Sequence, residues 1–362
     1  MRRYKTYING EWFEGTSGIV LRSVDPSNNK ELGEIVQNSK EDVEYAIESA
    51  SRSFYKTREW RDLDVQQRSD KLLKIADMIE SEIDEIAKTE SMDNGKPLRE
   101  AQADVDDAVH CFRYYAGLIR TPSGQTYNVN SNFGNMHSYT VKEPVGVCAL
   151  ITPWNFPFLM SVWKIAPALA AGNSIIFKPS SETVLSALKL FEILDKCDLP
   201  KGTANLVIGS GSTVGNLLAE SKKVDMITFT GSTSVGQGIM RAAVGNVKKI
   251  GLELGGKSPN IVFADTDIEK TVEWVMMGIF LNQGEVCCAG SRLIIEKSIK
   301  DKFLKKLVER TDKLTLGAPL DNPDMGPLIS KKHMQDVLGY IEKGKAEGAK
   351  LLCGGYKCTD DD

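Results

Sequence analysis

The stretch that decides the fold covers residues 145–178 and has the sequence VGVCALITPWNFPFLMSVWKIAPALAAGNSIIFK. Residues 145–151 are almost all apolar, as in a strand that is buried on both faces of a sheet. Apolar residues at helical spacing follow over residues 158–171, and a second apolar run covers residues 174–177. A strand, a helix and another strand in this order predict a unit of parallel sheet.

The same alternation continues toward the C-terminus. Apolar runs at 205–208, 226–230 and 250–254 alternate with segments of helical period, which cover residues 183–196, 212–222 and 234–245. We therefore predict an α/β fold with a doubly wound, Rossmann-like parallel sheet whose two faces are covered by helices. A further apolar run at 260–263 begins a second, incomplete α/β region.

Toward the N-terminus the pattern is helical. Residues 41–55, 65–86 and 98–119 carry apolar side chains at three- and four-residue steps. A polar stretch after Thr121, followed by the alternating residues 137–141, predicts an extended hairpin that leaves the main domain. We place one domain at residues 1–120 and 142–254, the hairpin at 121–141 and the start of a second domain at 255–362.

Composition excludes several classes of function. The chain has 362 residues and a net charge of −4 without a basic block, which gives no support for nucleic-acid binding. Its apolar runs are too short to span a membrane, and no apolar stretch follows the basic N-terminus, so neither a membrane segment nor a signal peptide is predicted. Seven scattered cysteines without metal-ligand spacing predict a reducing, cytoplasmic compartment and no metal site.

Three short stretches contain residues suited to catalysis. The first, residues 282–292, has the sequence NQGEVCCAGSR, in which small neighbours would give a substrate access to a cysteine nucleophile. Two adjacent cysteines are more often buried as small apolar residues, and that interpretation is favoured if the stretch is taken alone.

The second stretch, residues 252–259, contains Glu253 between two leucines at a strand end, with Gly255 and Gly256 behind it. Alternation along the strand turns Glu253 away from Leu252 and Leu254, and burial there would raise its pKa and suit it as a general base. A glutamate on an edge strand that faces solvent is an equally good interpretation.

The third stretch, residues 152–157, has the sequence TPWNFP and follows the strand that ends at Ile151. Open parallel sheets bind ligands at the carboxyl ends of their strands. The Asn155 amide could donate a hydrogen bond to an oxyanion there. Proline and asparagine also fill ordinary turns, which is the favoured interpretation of this stretch alone.

Together these stretches resemble the aldehyde dehydrogenase family, and their order along the chain agrees with it. Further matches are YINGEW at 7–12, DNGKP at 93–97, EPVGV at 143–147 and FTGST at 229–233. The resemblance extends from about residue 7 to residue 355 and is greatest to the betaine-aldehyde and general aldehyde branch. It implies a dinucleotide-binding domain at residues 1–120 and 142–254 and a catalytic domain from residue 255.

The resemblance implies oxidation of a small-molecule aldehyde to the carboxylic acid. Cys287, with Cys288 beside it, would attack the carbonyl to form a thiohemiacetal, whose oxyanion is held by the Asn155 amide and the Cys287 backbone N–H. Hydride transfer to NAD(P)+ would then leave a thioester, and Glu253 would activate the water that hydrolyses it.

The resemblance also implies which residues bind the cofactor, NAD or NADP. The predicted cofactor residues are Ile151, Thr152, Trp154, Lys178, Ser181, Gly211, Gly215, Phe229, Gly231, Ser232 and Leu254. The turn that begins at Gly231 lacks the common G-x-G-x-x-G pattern, but a helix N-terminus there would favour the pyrophosphate. Many members that prefer NAD have glutamate where this chain has Ser181, so we expect NADP to be tolerated.

For the substrate, the resemblance implies a funnel that includes Phe156, Met160 and Trp163, although such residues also suit a helix packed on the sheet. Lys164 matches a position proposed to relay protons, and a lysine facing solvent is at least as good an interpretation. Leu281 replaces an aromatic residue of the betaine-aldehyde branch, which favours a general aliphatic or aromatic aldehyde.

The sequence stops earlier than a family member normally does. We expect that the absent part would complete the catalytic domain after a strand near Leu351, contact the nicotinamide ribose, and support a homodimer or homotetramer of the full-length form. Without it, a sheet edge and an apolar face would be exposed. One alternative function is a non-catalytic remnant that binds dinucleotide or associates through residues 121–141. A thiol-redox protein using Cys287 and Cys288 is weaker, because adjacent cysteines form only a strained disulfide.

Overall fold

The computed structural model describes residues 2–358. Within them the strands are β1 (Arg3–Tyr4), β2 (Thr6–Ile8), β3 (Glu11–Phe13), β4 (Val20–Val24), β5 (Glu31–Val36), β6 (Thr126–Ser131), β7 (Gly134–Tyr139), β8 (Val147–Ile151), β9 (Ser174–Lys178), β10 (Ala204–Leu206), β11 (Met226–Gly231), β12 (Lys249–Leu254), β13 (Pro259–Val262) and β14 (Arg292–Ile295). The helices are α1 (Lys40–Arg52), α2 (Val65–Ser81), α3 (Ile83–Asn94), α4 (Leu98–Leu118), α5 (Pro157–Ala170), α6 (Leu185–Lys196), α7 (Asn216–Glu220), α8 (Thr233–Ala243), α9 (Ile268–Phe280), α10 (Lys300–Thr311) and α11 (Lys331–Ala346).

The central sheet has the strand order β12-β11-β8-β9-β10-β2-β3. The first five strands are parallel, which confirms the predicted doubly wound parallel sheet. Two short antiparallel strands, β2 and β3, extend it at the far edge. They were not predicted, because each has only three residues and carries too little periodic pattern to be recognised.

Helices cover both faces of this sheet. Along β8, Cys148 and Leu150 belong to one hydrophobic cluster, while Val147, Ala149 and Ile151 belong to another. Side chains alternate between the two faces of a strand, so each face has its own core. The first core is shared with α2, α4, α5 and α6, and the second with α1 and α8.

The helices before the sheet differ from the prediction at one position. Residues 65–86 were predicted as a single helix, but α2 ends at Ser81 and α3 begins at Ile83, with Glu82 at φ −113° and ψ 15° between them. Apolar spacing continues through the break, so periodicity alone does not reveal it. The break sets the direction of α3, whose last turns bury Glu90, Asp93 and Asn94.

The predicted hairpin is present as β6 and β7, which pair from Thr126 opposite Tyr139 to Ser131 opposite Gly134. Nearly all of its side chains are exposed, including Phe133 at 96%. The assignment of this segment and its neighbours to separate domains stays a prediction.

Beyond the sheet, β13 and β14 form a parallel pair with a small core of Val262, Val272, Val275 and Phe303. The predicted apolar exposure is found here, since Phe263 is 63% and Trp274 67% exposed. The strand predicted near Leu351 is absent, because no strand among the described residues lies beside Leu351 and Leu352 to pair with them.

Within residues 2–358, no helix is both long and apolar enough to cross a membrane. Nor does that part of the chain bring three His, Cys, Asp or Glu side chains together in a group that could hold a metal ion.

Candidate active site

The loop that carries Cys287 has an unusual backbone and is tied down at several points. Asn282, Gln283 and Gly284 have successive φ values of 47°, 57° and 77°, in the left-handed region that disfavours ordinary side chains. Such strain persists only where surrounding contacts enforce it. Here the backbone N–H of Gly256 donates to the Cys287 carbonyl oxygen at 3.1 Å, which joins the loop to the segment that follows β12.

This close approach favours glycine at position 256. A Cβ atom on Gly256 would lie 3.2 Å from the Cys287 carbonyl oxygen, closer than an ordinary van der Waals contact. The glycine after Glu253 therefore allows the two predicted catalytic segments to touch.

Cys287 is partly buried and Cys288 is exposed, so the two do not form a pair of buried apolar residues. Burial, and then the neighbouring Cys288, raises the pKa of the Cys287 thiol. The thiol is therefore protonated at neutral pH. The loop positions the sulfur without favouring the thiolate, which is the nucleophilic form.

Asn155 lies in the short segment between β8 and α5 and is 9% exposed. Its Nδ2 donates to the backbone carbonyl of Glu285 at 2.6 Å, which brings the predicted oxyanion donor to the cysteine loop. An amide nitrogen carries two hydrogens, so the other can serve a substrate oxygen. The Asn155 Oδ1 is buried and has no partner.

The predicted burial of Glu253 is wrong. Its side chain is exposed, because β12 is the edge strand of the central sheet and no strand within residues 2–358 pairs with its outer side. The alternative placement, on an edge strand facing solvent, matches the structure. Lys164 does not face solvent. It is 8% exposed, and its Nζ donates to Thr228 Oγ1 at 2.7 Å.

Burial lowers the pKa of Lys164 to about 8, and the Glu253 carboxylate opposes that shift. The two side chains are thus close enough to interact electrostatically. Near neutral pH a lysine with this pKa exchanges its proton readily, so the pair has both a carboxylate and a titratable amine on one side of the sheet edge.

The residues predicted to bind the cofactor gather at the carboxyl ends of the parallel strands. Ile151 is paired with Lys178 on β9 and with Phe229 on β11, and Gly231 is paired with Leu254 on β12. Strand pairing alone therefore places these residues along one edge. At the same edge, the Thr152 and Thr230 hydroxyls are buried without a hydrogen-bond partner, and such groups fit a polar ligand that satisfies them.

Gly231 and Ser232 form the turn between β11 and α8. Ser232 is the N-cap of α8, and its Oγ accepts a hydrogen bond from the Val235 N–H at 3.4 Å. The free backbone donors of such a helix N-terminus favour a phosphate group. Thus the buried hydroxyls and this turn both fit a dinucleotide.

The remaining cofactor candidates lie beside β9 and β10. Gly211 and Gly215 are the two ends of a single π-helical turn, and a Cβ on Gly215 would lie 3.9 Å from Lys178 Cε. Burial lowers the pKa of Lys178 to about 8, and its Nζ donates to the Pro179 carbonyl at 2.9 Å. Ser181, three residues after Lys178 in the sequence, is partly exposed.

The predicted substrate funnel is only partly open. Met160 is buried, and the Phe156 ring lies 4.2 Å from Lys96 Nζ, while Trp163 is half exposed. Leu281 is 39% exposed. Of these residues, Trp163 and Leu281 present the most surface to an incoming molecule.

Sequence reasoning missed two side chains next to the cysteine loop. The Glu285 side chain is buried two residues before Cys287, and the His333 ring lies 5.2 Å from that of Trp154. A glutamate in a glycine-containing loop normally faces water, so no local pattern indicated its burial. His333 is brought to the site by α11, which no motif had marked.

A doubly wound sheet with a polar, glycine-containing carboxyl edge is typical of dinucleotide-dependent dehydrogenases. Within that class, the chain belongs to the aldehyde dehydrogenase family, whose sequence profile matches residues 12–362. The predicted family, the fold and NAD(P)-dependent aldehyde oxidation are confirmed by this match and by individual relatives.

The chain is 46% identical over 355 residues to betaine aldehyde dehydrogenase of Bacillus subtilis, covering 98% of this chain and 72% of that protein. It is 41% identical over 357 residues to human mitochondrial aldehyde dehydrogenase, covering 98% and 68%. A crystal structure of betaine aldehyde dehydrogenase from Staphylococcus aureus in complex with NAD+ aligns with a TM-score of 0.95 at 41% identity, covering 99% of this chain and 71% of that one.

Proposed function

We propose that the chain oxidises its aldehyde through a covalent intermediate on Cys287, with Asn155 as oxyanion donor and Glu253 as the base for water. The single observation that carries this proposal is the pair of hydrogen bonds that joins the three segments. Asn155 donates to Glu285 O at 2.6 Å, and Gly256 donates to Cys287 O at 3.1 Å. Residues more than a hundred positions apart thus meet at one loop.

The proposed reaction begins when the Cys287 thiol gives its proton to solvent water and the sulfur bonds to the carbonyl carbon, so that the π electron pair of the carbonyl moves to its oxygen. The second N–H of the Asn155 amide and the Cys287 backbone N–H hold the oxygen that becomes negative, as in other oxyanion holes. A bound dinucleotide would supply the acceptor for the hydride that leaves the same carbon. The thioester that results on Cys287 is attacked by water whose proton passes to Glu253, and the C–S bond then breaks, which releases the acid and returns the Cys287 thiolate.

The exposure of Glu253 suits its proposed role in thioester hydrolysis, because water can reach an exposed carboxylate without any movement of the protein. The nearby buried Lys164, with a pKa lowered to about 8 by burial, can accept or release a proton at physiological pH.

For the cofactor, the proposed contacts are those of the carboxyl edge, with NADP tolerated alongside NAD. Ser181 would not repel a 2′-phosphate as a carboxylate would, and Lys178 lies three residues before it. The ratio of kcat/KM for NADP to that for NAD measures this. We expect Ser181→Glu to lower this ratio by about 10-fold or more, since a charge repulsion of about 1.4 kcal/mol changes a rate or affinity tenfold. Complete rejection of NADP by the parent chain contradicts the proposal.

For the substrate, we propose a general aliphatic or aromatic aldehyde. A quaternary ammonium group is recognised by aromatic rings, and the partly exposed side chain at position 281 is leucine. The relative from Bacillus subtilis is a betaine aldehyde dehydrogenase, so the two substrates should be compared directly. A kcat/KM for hexanal above that for betaine aldehyde supports the proposal, and the reverse order contradicts it.

We further propose a homodimer or homotetramer that uses the hairpin of β6 and β7, and a cytoplasmic location. The hairpin exposes Tyr127, Phe133 and Tyr139, and both of its outer edges can accept another strand. Sedimentation of a Phe133→Ser variant against the parent chain measures this; a smaller species supports the hairpin contact, and an unchanged one contradicts it.

The experiment that tests the function follows NAD(P)H absorbance after hexanal or propanal is added to the chain. We expect absorbance to rise with the parent chain and with Cys288→Ala, the matched control one residue away. We expect Cys287→Ala to form no NAD(P)H above the rate without enzyme. Equal rates in the two cysteine variants contradict a role for Cys287. Tight dinucleotide binding without turnover in the parent chain supports the non-catalytic alternative instead.

A further inference from the structure

The motif at residues 93–97 has no part in the proposed reaction, yet Asn94 touches the catalytic segment directly. Asn94 is fully buried, and its Nδ2 donates to the backbone carbonyls of Trp154 at 2.9 Å and Asn155 at 3.5 Å. The side-chain amide of Asn94 therefore donates its hydrogen bonds to the two residues that precede Phe156 in the turn leading to α5. Asn94 also lies at the very end of α3, where Gly95 stops the helix with a φ of 97°.

Neighbours of Asn94 hold the next part of the same segment. Glu90 Oε2 accepts a hydrogen bond from the Phe158 N–H at 2.8 Å, at the first turn of α5. Lys96 Nζ lies 4.2 Å from the centre of the Phe156 ring and 3.3 Å from Glu90 Oε1. The end of α3 and the two residues after it thus contact Trp154, Asn155, Phe156 and Phe158.

The Asn155 carbonyl is held from a second side by the cysteine loop. Asn282 Nδ2 donates to it at 2.8 Å, and the Asn282 N–H in turn donates to Glu100 Oε2 at 2.8 Å. A carbonyl that accepts from two side chains has a fixed orientation, because both lone-pair directions are used. The Trp154 carbonyl belongs to the peptide plane before the Asn155 Cα, and the Asn155 carbonyl to the plane after it. Because both planes are held, the φ and ψ of Asn155 are restricted, and with them the Cα–Cβ direction from which its side-chain amide projects.

We propose that Asn94 is a positioning residue for aldehyde oxidation, which aims the Asn155 amide at the substrate oxygen by holding the Trp154 and Asn155 carbonyls. The inference rests on the proposed function, since it needs Asn155 to be the oxyanion donor. Asn94 is fully buried, so in this proposal it acts through Asn155 and not on substrate or cofactor directly. The expected loss is therefore a loss of rate, without a loss of cofactor affinity.

A merely structural role for Asn94 predicts something different. A buried amide that donates to two carbonyls stabilises any fold, and its removal would lower stability without a selective effect on chemistry. Asn205 is the matched control: it is fully buried, and its Nδ2 donates to the Ile175 and Gly202 carbonyls at 3.1 and 2.9 Å. These carbonyls belong to β9 and to the turn before β10, and the Asn205 Oδ1 accepts from the Asn9 N–H at 3.0 Å, so none of its contacts is with the cysteine loop.

The experiment measures the first-turnover rate of NAD(P)H formation from hexanal with the full chain. A displacement of about 1 Å in a catalytic group costs about 100-fold, so we expect Asn94→Ala to lower the rate by about 10- to 100-fold. Dinucleotide affinity should stay within about two-fold, and Asn205→Ala should lose stability while keeping the rate. If Asn94→Ala does not fold, Asn94→Ser supplies the smaller change.

A double-mutant cycle identifies the route of the effect. If Asn94 acts through Asn155, then Asn94→Ala adds almost nothing in the Asn155→Ala background. Multiplicative losses overturn the inference, as does an unchanged rate in Asn94→Ala or an equal loss in Asn205→Ala. A full rate in Asn155→Ala alone refutes the oxyanion role of Asn155, so failure of the proposed function is seen separately.

Hydrogen exchange gives a measurement that needs no turnover. Asn94→Ala should speed exchange of the backbone amides between Trp154 and Phe158, whereas Asn205→Ala should leave them as in the parent chain. Unchanged exchange in Asn94→Ala shows that the segment is held without Asn94, and overturns the inference.

Discussion

Glu285 shows most clearly how surroundings change the chemistry of one residue. Its side chain is 1% exposed, and burial raises the pKa of its carboxyl to about 8. Oε1 accepts from the Ile329 N–H at 3.0 Å, and Oε2 has no partner. His333 Nε2 lies 3.6 Å away, and burial lowers the pKa of that ring. At neutral pH this contact therefore joins two neutral groups.

A prediction follows for Glu285→Gln, which replaces the protonated carboxyl by a neutral group of the same shape. The carboxyl titrates near 4.5 when unfolded and at about 8 when folded, so the folded chain holds an extra proton between these values. The stabilisation from this proton is complete below about pH 4.5 and is lost as pH rises through about 8. The variant should therefore gain free energy of unfolding relative to the parent, by up to about 1.4 kcal/mol per pH unit in that window.

Urea unfolding of both chains at several pH values between 5 and about 9 measures the difference. Lys96 also acts on this carboxyl, and it is unchanged in both chains. A constant gap between the two stability curves contradicts the assigned pKa.

At the residue scale, the sequence predicted which segments meet better than it predicted the burial of their side chains. Cys287 and Asn155 do come together at one loop, as their motifs suggested. Glu253 was placed on the right strand but with the wrong exposure, because alternation gives the face of a strand and not what covers it. Asn94 and Glu285 were missed, since their partners are backbone groups far away in sequence.

At the scale of elements, the turn from β11 to α8 depends on a glycine for space. A Cβ on Gly231 would lie 2.4 Å from Phe229 Cζ, and Phe229 is almost fully buried, so its ring has little room to move. The glycine therefore lets the strand end meet the helix N-terminus that the proposed phosphate contact needs.

We expect Gly231→Ala to destabilise the chain by about 1–3 kcal/mol, as overpacking does, and to weaken dinucleotide binding. Gly238→Ala, in the helix α8 that follows this turn, is the control, because a Cβ there meets nothing within 4 Å. It should be neutral or stabilise by up to about 1 kcal/mol. Urea unfolding and a dinucleotide titration measure both effects; equal behaviour of the two variants contradicts this account of the turn.

The order of elements was largely predictable, and its exceptions have physical causes. Long segments with a clear period, such as α5 and β8, were placed to within a few residues. The break at Glu82 was not predicted, because the apolar spacing continues through it. Strands β2 and β3 were not predicted, because three residues are too few to establish a period.

At the scale of the whole molecule, the central claim is that distant segments converge beside a dinucleotide edge. The parallel strands align their carboxyl ends, and the segments after β8 and β12 reach the cysteine loop from there. Sequence indicated this through its motifs and their order. It could not show the contacts that hold the loop, since these depend on tertiary packing.

The most direct measurement is mass spectrometry of the chain after a rapid acid quench of its reaction with hexanal and NAD+. We predict that Glu253→Gln, whose thioester hydrolyses slowly, accumulates a hexanoyl group on the peptide that contains Cys287. The same variant with Cys287→Ala should carry none. A reduced dinucleotide with no acyl group at Cys287, or with the group on another residue, contradicts the account.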